Sequence, residues 1–320
     1  MGALLMLTAC SDSKVGSKER PFSMFFIPSV DAQKLANVSD TMAKYVQKYV
    51  SQKLYQKDEG FYVKASVPTS YIAVVEAFGT KKADFATFST FAYILTRDIK
   101  KYPIEAAIMT VRGDGEKTYK GQIITRADSG INSIADLKGK SFAYTDASST
   151  SGYILPSKLL KDQGVELKQT VYALKHDNVV TMVYQKQVDA GATYYSSPVI
   201  EEVNGKPVTK ITDARARVKT QYPDVEEKVK VLGYTQEIPN EPWVLRSNLY
   251  ADEAENKKIK ALVVEALKEY ATTPDGKIGI KDLATATSLD SVTDDVYSDI
   301  RNIIVSQKDL NLEEIVKKGK

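Results

Sequence analysis

Short apolar runs alternate with segments of helical period along most of the chain. Phe22-Ser23-Met24-Phe25-Phe26-Ile27-Pro28 is an apolar stretch closed by a turn signal, and it predicts a buried first strand. Across residues 38–54, Met42, Tyr45, Val46, Tyr49 and Val50 recur at helical spacing, with Ser39 or Asp40 as the cap. Further strands are predicted at 61–65, 83–88, 106–111, 119–125, 141–144, 169–174, 188–194 and 229–235, and helices at 70–78, 151–163 and 177–186. Residues 201–228 read as a polar stretch. The carboxy-terminal third reads as helical, with Val296, Ile300, Ile303, Ile304 and Val305 in an amphipathic pattern and 310–320 as a solvated terminal helix. Strands alternating with helices predict an α/β fold of mostly parallel sheets covered on both faces. In such sheets ligands sit at the carboxyl ends of strands, where helix amino termini point inward.

Composition narrows the chemistry. A length of 320 residues suggests about two domains. With 44 Lys+Arg against 41 Asp+Glu, the net charge of +3 is too balanced to suggest a nucleic-acid partner. One His and one Cys are too few for a zinc site, an iron–sulfur cluster, a disulfide framework or a Cys/His nucleophile pair. No cofactor or metal is expected. Neither a G-x-S-x-G elbow, an H-E-x-x-H helix nor a phosphate-cradling G-x-x-x-x-G-K-[ST] loop is present, so nothing supports an enzyme. Hydroxyls, amides and carboxylates are left to do the work.

The first residues, Met1-Gly2-Ala3-Leu4-Leu5-Met6-Leu7-Thr8-Ala9-Cys10, hold an apolar run far shorter than the ~20 residues of a spanning helix. Leu7-Thr8-Ala9-Cys10 resembles a bacterial lipoprotein lipobox, which implies lipidation of Cys10 and attachment to the cell envelope through acyl chains. Residues 11–20 are polar and read as a flexible tether.

Asp146-Ala147-Ser148-Ser149-Thr150-Ser151-Gly152 falls between a predicted strand and a helix that opens Tyr153-Ile154-Leu155-Pro156. Hydroxyls beside the free amides of a helix's first turn offer many neutral donors and the positive end of the helix dipole, which suits a small tetrahedral oxyanion. The same residues would also make an ordinary N-cap and Ser/Thr turn. His176 sits at a predicted strand-to-helix junction, where an imidazole can donate to an anion or cap a helix.

The motif D-x-x-S-T-S-G-Y, followed by an apolar residue and Pro, resembles that of the phosphonate/phosphite/phosphate ABC-transporter substrate-binding proteins. The likeness runs over about 22–270. It includes Thr69-Ser70-Tyr71-Ile72-Ala73-Val74-Val75-Glu76, Lys82-Ala83-Asp84-Phe85-Ala86-Thr87-Phe88-Ser89-Thr90-Phe91-Ala92-Tyr93, and Ser129-Gly130-Ile131-Asn132-Ser133-Ile134-Ala135-Asp136-Leu137-Lys138-Gly139-Lys140. Gln187-Val188-Asp189-Ala190-Gly191-Ala192 and Ile238-Pro239-Asn240-Glu241-Pro242 complete it. The resemblance implies a two-lobed type II periplasmic-binding fold that closes around a small phosphorus oxyanion and delivers it to a membrane ABC permease. It implies that Ser149, Thr150 and Ser151 bond the phosphorus oxygens, that Tyr71 donates from the other lobe, and that His176 donates as well. Tyr93 is a further candidate, and Tyr194 and Tyr195 follow a predicted strand end where they could line the cleft.

Departures from the pattern bear on the ligand. Family members that bind aminoalkylphosphonates carry an acid shortly after the V-D-A-G strand, where this chain reads Thr193-Tyr194-Tyr195-Ser196-Ser197. Glu241 stands where the late loop has an acid, and it and Asp146 are the candidate acceptors for a P–OH proton. Phosphite, methylphosphonate and phosphate are therefore the expected ligands. A monomer is expected, and a tethered sensor acting on a membrane kinase would use the same pocket. The lobes are drawn as 21–114 plus 235–320 and as 118–232, after a remnant and tether at 1–20, with hinges near 112–119 and 232–236.

Overall fold

A computed structural model describes residues 13–306 of the chain. Cys10 and the terminal run 310–320 lie outside the described residues. Strands β1 (Phe22–Phe26), β2 (Val63–Ser66), β3 (Phe85–Thr87) and β4 (Ile104–Val111) alternate with helices α1 (Ala32–Tyr55), α2 (Tyr71–Gly79) and the short α3 (Thr90–Ile94). Strands β5 (Thr118–Arg126), β6 (Ser141–Tyr144), β7 (Gln169–Tyr172) and β8 (Ala190–Tyr195) follow, with α4 (Leu155–Asp162) and α5 (His176–Tyr184) among them. The expected polar stretch folds as a hairpin, β9 (Val199–Val203) and β10 (Lys206–Lys210), and two short helices, α6 (Ala214–Arg217) and α7 (Val225–Lys228). The chain then runs through β11 (Val229–Pro239), β12 (Pro242–Arg246), α8 (Glu253–Tyr270), α9 (Pro274–Ala284), β13 (Ser288–Ser291) and α10 (Ser298–Ser306).

Two sheets result. One runs β13-β4-β12-β3-β1-β2 and the other β11-β5-β8-β6-β7. Both are more mixed than the alternation predicts. In the first sheet β1 pairs parallel with β2 and β3, but β12 and β13 return antiparallel. In the second, β6 is parallel to β7 and β8, while β5 lies antiparallel between β8 and β11. Every antiparallel pair in these two sheets includes a strand next to one of the two crossings between them, namely β4, β5, β11 or β12.

The first crossing is a tight turn closed by paired bonds between Arg112 and Glu116, within the expected hinge. The second differs. Residues 232–236 lie inside β11, which stays paired to β5 as far as Pro239↔Thr118, so the chain changes sheet at Asn240 and Glu241. Two register shifts, at Val231/Gly233 and Tyr234/Glu237, interrupt the pairing of β11 with β5.

Helix α1 starts earlier than its apolar period suggests. Asp31 caps it by accepting from the Gln33 and Lys34 amides, and Ser39 lies inside it with its hydroxyl turned back to the Ala36 carbonyl. The face of α1 carrying Leu35, Met42, Val46 and Val50 is buried with Phe22, Met24 and Phe26 of β1. Asp84 closes the other end of this lobe. Fully buried, it accepts from the Ser23 amide and pairs with both Arg20 and Arg246. Among the described residues no helix is long and apolar enough to cross a membrane.

Candidate functional site

A cavity of about 60 Å³ lies between the two sheets. At ~10–15 Å³ for each water-sized group, it holds about four to six heavy atoms, the size of a tetrahedral oxyanion. The second lobe supplies Ser149, Ser151, Tyr119, His176, Tyr194 and Arg217 to its wall, and the first supplies Ser29, Tyr71, Ser89, Arg112 and Glu241 together with apolar side chains.

The hydroxyl-rich turn forms the floor on the second lobe. Ser149 caps a wide π-helical turn over Thr150–Ile154, accepting from the Gly152 amide at 3.1 Å. Such turns often mark functional positions, because they fan backbone groups outward instead of stacking them. Gly152 is needed there, since a Cβ would fall 2.3 Å from the Thr145 hydroxyl. Ser151 lines the cavity together with the Tyr119 phenol. Thr150 does not line it. Its Oγ1 accepts the Phe91 amide of the first lobe at 2.8 Å, and Ser89 donates across the same seam to the Ser148 carbonyl at 2.8 Å. Thr150 is therefore placed to tie the lobes together, whereas Ser149 and Ser151 face the space between them.

His176 is the first residue of α5, and its ring packs edge-on against Tyr194 with centroids 5.0 Å apart. Burial, with the Arg217 guanidinium close by, lowers its pKa to about 3, so the ring is neutral. Nδ1 lies 2.8 Å from Thr193 Oγ1 and 3.2 Å from Thr145 Oγ1, and the latter hydroxyl reaches the Ala192 carbonyl. The arrangement that satisfies all these groups has Thr193 donating to Nδ1, which leaves the ring proton on Nε2 as a donor.

Tyr71 opens α2 on the opposite wall, 1% exposed, with its phenol in reach of the Ser29 hydroxyl. Burial and the nearby Asp146 carboxylate push its pKa well above the ordinary value, so the phenol keeps its proton and can donate. Asp146 itself accepts from the Ser148 and Tyr71 amides and does not line the cavity. Neither α2 nor α5 has a side-chain bond from its own cap residue, but the Tyr71 amide of α2 is taken by Asp146, so it is the start of α5 that is left open to an anion.

Two more of the expected side chains go elsewhere. Tyr93 does not line the cavity: it is one turn, a rise of about 6 Å, along α3 from Ser89, where its hydroxyl donates to Asp294 at 2.7 Å and its ring packs on Tyr297. Tyr195 packs with its ring tilted against Tyr234, since neighbours on a strand point to opposite faces and Tyr194 takes the cavity side. Glu241 reaches the cavity, but not as a free acid. Both of its oxygens accept from Arg112 Nη2, at 2.8 and 2.7 Å.

The arginines were missed. Arg112 directly follows β4 beside a Gly-rich turn, a position that reads as hinge, and its partner Glu241 lies 129 residues away. Arg217 falls in the stretch that reads as merely polar, yet its Nε donates to the Tyr194 phenol at 2.6 Å and its Nη1 to the Asp282 carbonyl at 2.9 Å. Together the two guanidiniums cap the last turn of α9, whose carbonyls have no partner within the helix.

Two α/β lobes joined by two crossings, with an anion-sized cavity between helix starts, define a periplasmic-binding fold. The chain belongs to the family of phosphonate periplasmic substrate-binding proteins of ABC transporters, whose family model matches residues 24–297. It is 26% identical over 239 residues to the phosphonates-binding periplasmic protein of Escherichia coli, a match covering 72% of this chain and 63% of that protein. The matched region thus spans less than two thirds of that curated relative. Among solved structures, a binding protein component of an ABC phosphonate transporter from Pseudomonas aeruginosa superposes with a TM-score of 0.70 at 21% identity, covering 96% of this chain and 93% of the other. PhnD1 from Prochlorococcus marinus, in complex with methylphosphonate, superposes with a TM-score of 0.69 at 19% identity over 91% of this chain and 97% of its own.

Proposed function

We propose that this chain is the solute-binding component of an ABC importer. It captures a small phosphorus oxyanion, namely phosphite, methylphosphonate or phosphate, by closure of the lobes about the crossings at Arg112–Glu116 and at residues 240–241. It then presents the liganded form to a membrane permease. The observation that carries this reading is the cavity itself: Ser149, Ser151 and a neutral His176 on one wall face Tyr71 on the other, and the uncapped start of α5 borders them. Fixed neutral donors on several sides match the oxygens of a tetrahedral anion, and Arg217 adds the positive charge. Methylphosphonate in the P. marinus protein of like fold supports the ligand class. In this reading the protein acts as a monomer outside the cytoplasmic membrane, held there by lipidation of Cys10 and the tether that follows.

A thermal-shift panel on the domain from Arg20 onward, with phosphite, methylphosphonate, phosphate and sulfate at matched ionic strength, tests the reading. A ligand at ~100 times its dissociation constant adds about 2.7 kcal/mol of stability, and one phosphorus oxyanion should give that shift. Ser149→Ala and Ser151→Ala should each weaken its binding by roughly 1–3 kcal/mol, the penalty of an unpaired buried oxygen. No shift with any phosphorus oxyanion, on protein freed of carried-over ligand, would overturn the reading.

A further inference from the structure

We propose that Arg112 is a built-in counter-cation that sets the ligand class, so that the site takes a phosphorus oxyanion whose remaining substituent is short and uncharged and rejects one bearing an ammonium. This rests on the oxyanion-binding reading above and adds what decides among such ligands.

A ligand ammonium needs an uncompensated carboxylate. Glu241 is the carboxylate that lines the cavity; Asp146 and Asp177, although close by, do not. The Glu241 charge is already met, since both oxygens accept from Arg112 Nη2 and Oε2 also accepts from the Thr110 hydroxyl at 2.8 Å. Arg112 cannot swing aside to release it. Its Nε donates to the Ala284 carbonyl at 2.9 Å and to Thr285 Oγ1 at 3.1 Å, its Nη1 donates to Asn240 Oδ1 at 2.5 Å, and its guanidinium carbon lies 4.9 Å from the centre of the Tyr119 ring. Only 4% of the side chain is exposed.

The pair therefore meets the ligand with no net charge. At the same end of α9 stands the second guanidinium, Arg217, fixed by Tyr194 and the Asp282 carbonyl. An ammonium entering here would meet a neutral ion pair, a neutral imidazole and the Arg217 cation, with no carboxylate left to compensate it, and an environment of that kind disfavours a near-identical charged competitor. Ile27, Val30, Trp243 and Leu283 of the first lobe add apolar lining to the cavity, which suits a P–H or P–CH3 substituent.

Ethylphosphonate and aminomethylphosphonate are nearly isosteric and differ in the cationic head, so calorimetric titration of the wild-type protein with each, beside methylphosphonate, isolates the charge. Ethylphosphonate is expected to bind at least tenfold more tightly. The side chain of Arg112→Met keeps much of the bulk while freeing Glu241, and in a folded variant this preference should narrow at least tenfold. Equal or tighter binding of aminomethylphosphonate by the wild type would overturn the inference while leaving oxyanion binding intact. Exclusion of both while methylphosphonate binds would overturn it too, because size would then be the filter. An unchanged preference in Arg112→Met that folds, judged by circular dichroism, would remove Arg112 as the determinant. Failure of all three ligands and of phosphate would instead defeat the oxyanion-binding reading on which the inference rests.

Discussion

The two walls of the cavity are built from opposite kinds of sequence. On the second lobe, Ser149 and Ser151 are neighbours in one turn, and His176 lies at the next strand-to-helix junction of the same sheet. Their positions follow from local rules: a strand ends, a helix begins, and the residues between them cap it. On the first lobe the wall is assembled from distant pieces. Arg112 meets Glu241 from 129 positions away, and its other bonds reach Asn240, Ala284 and Thr285. The local wall supplies donors to a ligand, while the assembled wall spends its charges on itself. The second kind is therefore tied to stability as closely as to binding.

The largest effect should come from breaking the assembled wall. Glu241→Ala leaves Arg112 buried with its carboxylate partner gone, and removal of one member of a buried pair costs about 3–5 kcal/mol. Because 19% of the Glu241 side chain is exposed, water can offset part of this, and the lower end of that range is expected in urea denaturation. A loss below ~1 kcal/mol would mean that the pair contributes no more than a surface ion pair and that the contrast between the walls is false.

A middle-sized effect belongs to the local wall and depends on pH. His176 is held neutral when folded, with its pKa lowered to about 3, but takes up a proton near pH 6.5 when unfolded. The unfolded chain thus binds the extra proton between these values. The stabilisation is whole above pH 6.5 and falls by up to about 1.4 kcal/mol per unit as the pH drops towards 3. Asp146 and Asp177, whose pKa values burial raises, act in the opposite sense, so the comparison must be with a variant. Urea unfolding of ligand-free wild type and His176→Gln at pH 7, 6 and 5 should show the gap between them closing as the pH falls. Parallel curves would place a charged imidazole in the fold.

Much of this was legible in the chain. The alternation of strands and helices, the hydroxyl-rich turn and the position of His176 all follow from short-range pattern. Pairings in three dimensions do not. Nothing near Arg112 announces Glu241, and Arg217 hides in a stretch whose polar residues form a hairpin and two short helices instead of a loop. Strand direction was lost for the same reason: β12 and β13 enter the first sheet only after the chain has crossed to the second lobe and back. Thr150 shows a subtler limit. It belongs to the motif by sequence, but a π-helical turn sends its hydroxyl to the Phe91 amide while its neighbours face the cavity.

The smallest effects compare two tyrosines that look alike in the sequence. Tyr71 and Tyr93 are both fully buried and both lie near the start of first-lobe helices, but only Tyr71 faces the cavity. Tyr71→Phe keeps the ring and removes one donor, so oxyanion affinity should fall by about 0.5–1.5 kcal/mol, the net worth of one hydrogen bond, or somewhat more if the bond is to a charged oxygen. Tyr93→Phe removes a bond to Asp294, a carboxylate that also pairs with Arg97 and Arg301. Those two arginines keep the carboxylate compensated, so the stability loss should stay near 1 kcal/mol and ligand affinity should not change. Calorimetric titration of both variants with the ligand found by the thermal-shift panel makes the distinction. Equal losses of affinity would mean that the lobes close differently when liganded and bring Tyr93 to the anion.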